Sequence, residues 1–455
     1  MGISATATAR LKELSGSNAD ERVVAHLAQL IGAADDLDCY KINAFRVAEQ
    51  LDVSRPDTVR ALLWATRLGV LDLNWDVHCP SCKGVPTYHR HLMELPTRGH
   101  CALCEINWDL DFAEQLEVTF TVNPDVRALE VREFCELQFP EHMEWFAQIT
   151  GREGRMPVVA SLLSPGETQR LPGRLEAGEY VMYVPSHLEG GVRLRVRGEP
   201  SEIEREVDVE VAADGAVTAS VAELQPGPVA FQVRYGYGRL WGFGVHALVP
   251  QRNWLSAAYL TSQQDFRDLF AGEFLAPDSS FAVRSLTFLF TDIRGSTEMY
   301  EALGDSAAYA VVQEHFRLMS DLIRRREGGV VKTIGDAVMA VFPVNVDGVR
   351  AACEVQRALG ASDDPLRQVE VKIGLHRGPA IAVTSNRMVD YFGRTVNLAA
   401  RTQGEAKPRE VLLTEAVITD PAVRALLETE NLRPTELTAH LRGLPGPLSL
   451  YSIRP

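Results

Sequence analysis

The chain has 455 residues, room for three or four domains of ordinary size. A composition 46% hydrophobic and 24% charged predicts a soluble protein, and no run approaches the ~20 apolar residues of a membrane helix. The net charge of −15 makes nucleic acid an unlikely partner on electrostatic grounds, and the N-terminus lacks a secretory apolar stretch, so a cytoplasmic setting without a membrane partner is expected.

Residues 1–77 show helical periodicity over Val23–Ile31, Ala44–Leu51 and Arg55–Leu68, with Asp52-Val-Ser54 as the turn between the last two. Gly69-Val-Leu-Asp-Leu-Asn-Trp75 then reads as a strand, and the order resembles a winged helix. Arg55, Arg60 and Arg67 on the third helix are candidates to face DNA, but Asp57 and other nearby acids offset them. A docking or dimerisation module is the favoured reading.

Residues 78–112 contain Cys79-Pro-Ser-Cys82 and Cys101-Ala-Leu-Cys104, two C-x₂-C pairs separated by eighteen residues, a zinc-ribbon spacing. Four thiolates close a tetrahedron around Zn²⁺ and leave no open position, so this metal would be structural. It would replace a core that so short a segment cannot build. His78 and His100 are read as bystanders, with redox sensing by the same thiols as the alternative. Cys39, Cys135 and Cys353 show no pairing pattern and are read as small buried residues.

Residues 113–156 are expected to be a helical connector, with a helix around Val131–Ile149. From 157 to 250, short alternating runs such as Glu179–Val184, Val192–Val196, Val207–Val211 and Val229–Val233 predict a β-sandwich with Tyr235, Tyr237, Trp241 and Phe243 in its core. Residues 251–280 form a linker with a helix over Trp254–Phe274, ended by Pro277. At that place it could pair across a dimer and set the angle between catalytic domains.

In residues 281–455, Leu286-Thr-Phe-Leu-Phe290 reads as a buried strand, and Phe290-Thr-Asp-Ile-Arg-Gly-Ser-Thr297 puts Asp292 where strand gives way to helix. Ser296 and Thr297 are expected to cap a helix from about Glu298 toward Arg326. Gly295, Ser296 and Thr297 there offer backbone N–H groups to phosphate, and Asp292 could hold a divalent metal against it. Taken alone, this segment also reads as a plain capped strand-to-helix turn. Val330–Phe342 reads as two strands around a Gly335-Asp336 turn, adding Asp336 and a lysine, Lys332, within an apolar strand. Asp390 is expected in a loop before a helix starting near Thr395. Asn397 and Arg401, four apart on one face of that helix, suit a phosphate-bearing substrate.

Together with Gly374-Leu-His-Arg-Gly378, and in this order, these segments resemble the catalytic domain of class III nucleotidyl cyclases. The resemblance implies a ferredoxin-like βαβ-type domain ending a multidomain α+β chain. It implies that Asp292, Asp336 and the Ile293 carbonyl bind two Mg²⁺ or Mn²⁺ ions, one activating the ribose 3′-hydroxyl and one neutralising pyrophosphate. Asn397 would orient the ribose and Arg401 would stabilise charge on the phosphate in the transition state. Lys332 and Asp390 would read the purine edge, a lysine donating to adenine N1 and a carboxylate accepting from the 6-amino group, both mismatched by guanine. Arg442, in Leu441-Arg-Gly443, and Lys372 are candidates for the triphosphate, whereas Arg294 and Arg377 read as solvated loop arginines. The implied reaction is ATP to 3′,5′-cyclic AMP and pyrophosphate. Sites of this family form between two catalytic domains, and both half-sets are present here, so the implied partner is a second copy in a homodimer. The alternatives are a guanylate cyclase, which Lys332 and Asp390 oppose, and a nucleic-acid-binding regulator whose cyclase-like domain only senses ATP.

Overall fold

Polar caps start the N-terminal helices. Ser4, Asp20, Asn43 and Ser54 accept from first-turn N–H groups of α1 (Ala5–Ser15), α2 (Glu21–Ala33), α3 (Ala44–Leu51) and α4 (Arg55–Arg67). The computed structural model describes residues 4–80, 85–101, 106–131, 157–184, 191–247, 254–360, 369–441 and 446–455. After α4 comes β1 (Leu71–Val77), which pairs at one end with β2 (Thr87–His89), and then a hairpin of β3 (Arg98–Cys101) and β4 (Ile106–Asp109). The predicted helices, the Asp52–Ser54 turn and the following strand all have counterparts here.

Residues 113–156 are more than a connector. They contain β5 (Leu116–Val122), which pairs antiparallel with the whole of β1 and is buried throughout. Its Glu117, Thr119 and Thr121 look solvent-facing by alternation, yet they are buried. Thr119 donates to Asp76 at 2.7 Å, Asn74 donates to Thr121 at 2.9 Å, and Asp76 itself pairs with Lys41 at 2.5 Å. A satisfied polar network replaces water on that face. The helix expected around 131–149 lies, beyond residue 131, outside the described residues.

The next core is enclosed by two sheets. One is ordered β11-β10-β13-β7 and the other β12-β9-β8-β14-β6, and their inward side chains share one hydrophobic cluster. The strands are β6 (Pro157–Leu163), β7 (Thr168–Leu175), β8 (Gly178–Tyr183), β9 (Val192–Val196), β10 (Arg205–Val211), β11 (Val217–Ala219), β12 (Glu223–Leu224), β13 (Gly227–Tyr235) and β14 (Trp241–Ala247). Tyr235 and Phe243 are buried in that cluster. Two pairings, β10 with β13 and β9 with β12, are parallel.

The linker departs from expectation. In place of one helix over Trp254–Phe274 stand α5 (Ala257–Ser262) and α6 (Gln264–Leu269), broken at Gln263, and α6 ends well before Pro277. Ala257, Ala258, Leu260, Thr261, Ser262, Phe266 and Arg267 are all buried against the same chain. Most of this helix pair is thus enclosed by its own chain, with Asp268 left exposed.

The last domain is built on an eight-stranded sheet ordered β16-β17-β15-β18-β20-β22-β21, with β19 added on β18. Its strands are β15 (Phe281–Ile293), β16 (Gly329–Ile334), β17 (Ala337–Phe342), β18 (Val371–Ser385), β19 (Met388–Phe392), β20 (Val411–Thr414), β21 (Thr435–Ala439) and β22 (Leu448–Ile453). Its helices are α7 (Ser296–Leu303), α8 (Asp305–Arg325), α9 (Asn345–Gly360), α10 (Arg394–Glu405), α11 (Glu415–Ile418) and α12 (Pro421–Thr429). Alternation along β15 sends Leu289 and Ile293 into a core with α8, α9, α11 and α12. Phe288 and Phe290 face the opposite side, where the sheet shares a single core with α10, the linker helices and the N-terminal helices. No helix among the described residues is long and apolar enough to cross a membrane.

Candidate active site

Asp292 lies one residue before the end of β15. The antiparallel register Phe290↔Met339 carries that end past the start of β17, and Thr291 Oγ1 accepts from the Val338 N–H at 3.1 Å. Asp336 occupies the turn just before β17, formed with Gly335 at φ 65°. Two carboxylates therefore reach the same end of neighbouring strands. Asp336 Oδ2 is buried without a hydrogen-bond partner. Such an oxygen is costly to bury unless a cation meets it, so the pair fits an oxygen-liganded divalent ion. Among the described residues no group of three His, Cys, Asp or Glu converges on one point. Lys372 stands opposite Asp292 on β18, its Nζ 3.4 Å from Asp292 Oδ2.

No motif signalled His315. It is buried on α8 with neither ring nitrogen hydrogen-bonded, and burial pushes its pKa down to about 4 against the opposing pull of Asp336.

The turn after Asp292 differs from expectation. Gly295, at φ 64°, is itself the N-cap of α7, with no side-chain cap, so Ser296 and Thr297 form the helix's first turn. Gly304, at φ 74°, then separates α7 from α8, because that backbone geometry cannot continue a helix.

Lys332 on β16 and Asp390 are joined by an ion pair of 2.7 Å. Asp390 belongs to β19 and not to a loop, in register with Val383 of β18. It is 3% exposed, and its Oδ1 accepts from the Tyr391 N–H at 2.8 Å. Lys332 Nζ also lies 5.3 Å from the centre of the exposed Phe392 ring.

Asn397 is exposed and Arg401 half-buried, four residues apart on α10. Neither makes a side-chain hydrogen bond or ion pair with a described residue. The helix that carries them lies against β18 because two positions there lack side chains. A Cβ on Gly374 would stand 2.1 Å from the Gln403 backbone nitrogen, and one on Gly378 2.8 Å from Thr395 Oγ1. The Gly-x-x-x-Gly spacing in Gly374–Gly378 was thus a packing signal as well as a family mark.

Arg377 is not a solvated loop residue. It lies half-buried on β18, donating from Nε to Ser285 Oγ at 2.8 Å and standing 3.5 Å from Asp420. Arg294 is exposed and pairs with Glu370 at 2.7 Å. Arg442 lies outside the described residues, as do Cys82 and Cys104. Cys79 and Cys101 are both buried and pack together with Ile106 and Trp108, which brings half of the four-thiol set to one place.

Residues 5–268 match the family described as a family of unknown function (DUF5939), and residues 280–443 match the adenylate and guanylate cyclase catalytic domain. The chain is similar to an adenylate cyclase of Anabaena cylindrica, 30% identical over 190 residues that cover 38% of this chain and 37% of that protein. It is 26% identical over 213 residues to adenylate cyclase 2 of Rhizobium meliloti (strain 1021), covering 43% of this chain and 55% of the relative. The chain thus spans only part of the length of these relatives. Among solved structures, a Trypanosoma brucei adenylate cyclase in its monomeric state is 30% identical, covers 37% of this chain and 89% of its own, and superimposes with a TM-score of 0.32.

Proposed function

We infer that this chain, which belongs to the DUF5939 family of unknown function by residues 5–268 and carries a class III cyclase catalytic domain at its C-terminal end, is an adenylate cyclase converting ATP to 3′,5′-cyclic AMP and pyrophosphate. The observation that carries the choice of nucleotide is the Lys332–Asp390 pair at 2.7 Å, a donor beside an acceptor. Adenine offers an acceptor at N1 and a donor at its 6-amino group, matching both, while guanine reverses both. A guanylate cyclase is the weaker reading for that reason.

Asp292, Asp336 and the Ile293 carbonyl are the groups that would hold Mg²⁺ or Mn²⁺, two ions per site. When bound, the ions lower the pKa of the ribose 3′-hydroxyl and neutralise the leaving pyrophosphate. Asn397 orients the ribose so that its 3′-oxygen stands in line with the α-phosphorus. Arg401 places a fixed positive charge where the phosphate gains negative charge, and loss of such a group costs on the order of 10²–10³ in rate. Lys372, already beside Asp292, is the candidate for the β- and γ-phosphates together with Arg442, and the backbone of Gly295, Ser296 and Thr297 is a further phosphate contact.

The partner in this reading is a second copy of the chain, forming a homodimer whose sites each combine the carboxylates of one subunit with the purine and ribose residues of the other. Exposed apolar side chains support it: Ile334 at 53%, Phe392 at 52% and Ile381 at 45% lie on the strands around Lys332, with Ile381 and Phe392 opposite one another in register. Upstream, residues 1–77 are read as a winged-helix-like docking module, 78–112 as a zinc-ribbon-like module with Cys79, Cys82, Cys101 and Cys104 holding structural Zn²⁺, and 157–250 as a β-sandwich, all regulatory, in the cytoplasm. DNA binding is disfavoured because Arg60 is engaged by Asp57 at 2.8 Å and Asp265 at 2.7 Å.

Purified full-length protein with Mn²⁺ and either ATP or GTP, beside Asp292→Ala, tests the reading. Cyclic AMP from ATP, little cyclic product from GTP and none from the variant are expected. ATP binding with no cyclic product in any condition would favour the ATP-sensing regulator instead.

A further inference from the structure

Strands β16 and β19, which carry Lys332 and Asp390, are not hydrogen-bonded neighbours, since β16 pairs with β17 and β19 with β18. No ladder between them sets the 2.7 Å contact of the pair. Both strands are instead gripped by the linker helices. At β16, Gln264 Oε1 accepts from the Val330 N–H at 2.7 Å, the Gln264 N–H donates to the Gly328 carbonyl at 3.2 Å, and Gln263 Nε2 donates to the Glu327 carbonyl at 2.8 Å. The approach is close enough that a Cβ on Gly329 would stand 2.5 Å from the Ser262 carbonyl oxygen.

At β19 the grip is made by Arg267 and Thr261. Arg267 Nη1 donates to the carbonyl of Val389, the residue before Asp390, at 3.1 Å, and its guanidinium lies 5.8 Å from the centre of the Tyr391 ring. Thr261 Oγ1 meets the Tyr391 hydroxyl at 3.1 Å. Arg267 is 5% exposed, and its Nε and Nη2 have no hydrogen-bond partner. A buried guanidinium with one hydrogen bond is a poor way to fill a core, where an apolar side chain of similar volume would be more stable. An apolar side chain could not hold a backbone carbonyl. The outer side of α6 is fastened in turn: Asp265 takes Arg60 of α4 at 2.7 Å and lies 3.6 Å from Arg324 of α8, which also pairs with Asp268.

We propose that Arg267 is a positioning residue for purine selection, and that α5 and α6 form a bracket that holds the strand of Asp390 against the strand of Lys332. The proposal rests on the adenylate cyclase reading. Arg267 touches no substrate in it and acts through the Val389 carbonyl and the Tyr391 ring, so that Asp390 meets the 6-amino group while Lys332 meets N1. Supporting groups of this kind control whether a recognition pair stands within a few tenths of an ångström of its working geometry.

The test uses the full chain, with Arg267→Met and Arg267→Lys assayed against ATP and GTP and titrated with a non-cyclisable ATP analogue. Arg267→Met is expected to raise the KM for ATP and the Kd of the analogue about tenfold, with a smaller fall in kcat and a similar drop in the ATP-to-GTP preference. Arg267→Lys, which keeps a charged donor, should recover part of each. Unchanged KM, Kd and preference, with kcat lowered equally for both nucleotides, would mark Arg267 as merely structural and overturn the proposal. Should Arg267→Met fail to fold, Thr261→Val takes its place, with a shift of about twofold in the same quantities expected and no shift overturning the proposal. A wild-type chain inactive on ATP would instead refute the adenylate cyclase reading, whereas an active wild type with indifferent variants would refute only the bracket.

Discussion

Asp292 and Asp336 stand at the ends of adjacent, hydrogen-bonded strands, whereas Lys332 and Asp390 meet across strands that share no ladder. The carboxylate end is built from a strand and a hairpin that are neighbours in one ladder, β15 paired with β17 and β17 with β16. The purine end depends on helices α5 and α6, which begin before the cyclase match and fall largely within the DUF5939 match. The linker helices touch the strands of both members of the purine pair directly, through Gln264 to Val330 and Arg267 to Val389.

The largest expected effect breaks the carboxylate end. Asp336→Asn should lower cyclic AMP formation on the order of 10³-fold. Its melting temperature should hold, since Asp336 Oδ2 has no hydrogen-bond partner to lose. A strong loss of stability would mean that Asp336 holds the hairpin together and not an ion. Next, Gly374→Ala drives a methyl group into the backbone of α10 and displaces Asn397 and Arg401 together. A loss of about 10²-fold in kcat with ~1–3 kcal/mol of destabilisation is expected, read by initial rates and denaturant unfolding. Wild-type rates in that variant would show that α10 is not where the ribose residues need to be.

At the purine end, Lys332→Glu with Asp390→Cys exchanges the donor and acceptor pattern. It should move the ratio of kcat/KM for ATP over GTP toward GTP by about tenfold or more. An unchanged ratio would remove the purine role of this pair and with it the contrast between the two ends.

The smallest effect is a matter of stability. His376 on β18 bonds to Thr414 Oγ1 at 2.8 Å, and burial pushes its pKa from the ordinary 6.5 down to about 4. The unfolded chain takes up a proton near pH 6.5 while the folded form resists it, so this contribution is whole above 6.5 and is lost as the pH falls toward 4. The loss should be on the order of 1 kcal/mol, and His376→Gln should flatten the acid limb of the curve of Tm against pH. An identical acid limb in the variant would assign the slope to other groups.

The site was legible where its chemistry is local. Strand, turn and helix around Asp292, the Gly335-Asp336 hairpin and the shared face of Asn397 and Arg401 all follow from short-range backbone preferences. Misreadings fell where burial came from elsewhere. The stretch read as a helical connector contains a strand, β5, whose polar residues Thr119 and Thr121 are met by Asp76 and Asn74. Asp390 looked like a loop residue because its strand is short and paired only along the far half of β18. The linker read as one helix because periodicity does not report the extended backbone of Gln263, at ψ 135°, where the helix breaks.

The sequence by itself determined where the candidate residues stand on their elements, since a carboxylate at a strand end, a glycine-aspartate turn and a four-residue helical spacing are each set within a few residues. Tertiary structure alone decided what holds them. The partner of the Asp390 strand is an arginine 122 positions before the Val389 carbonyl it holds, and no local preference couples residues so far apart. Only the shared core that joins the N-terminal helices, the linker helices and one face of the catalytic sheet brings Arg267 to Val389 and so places Asp390 against Lys332.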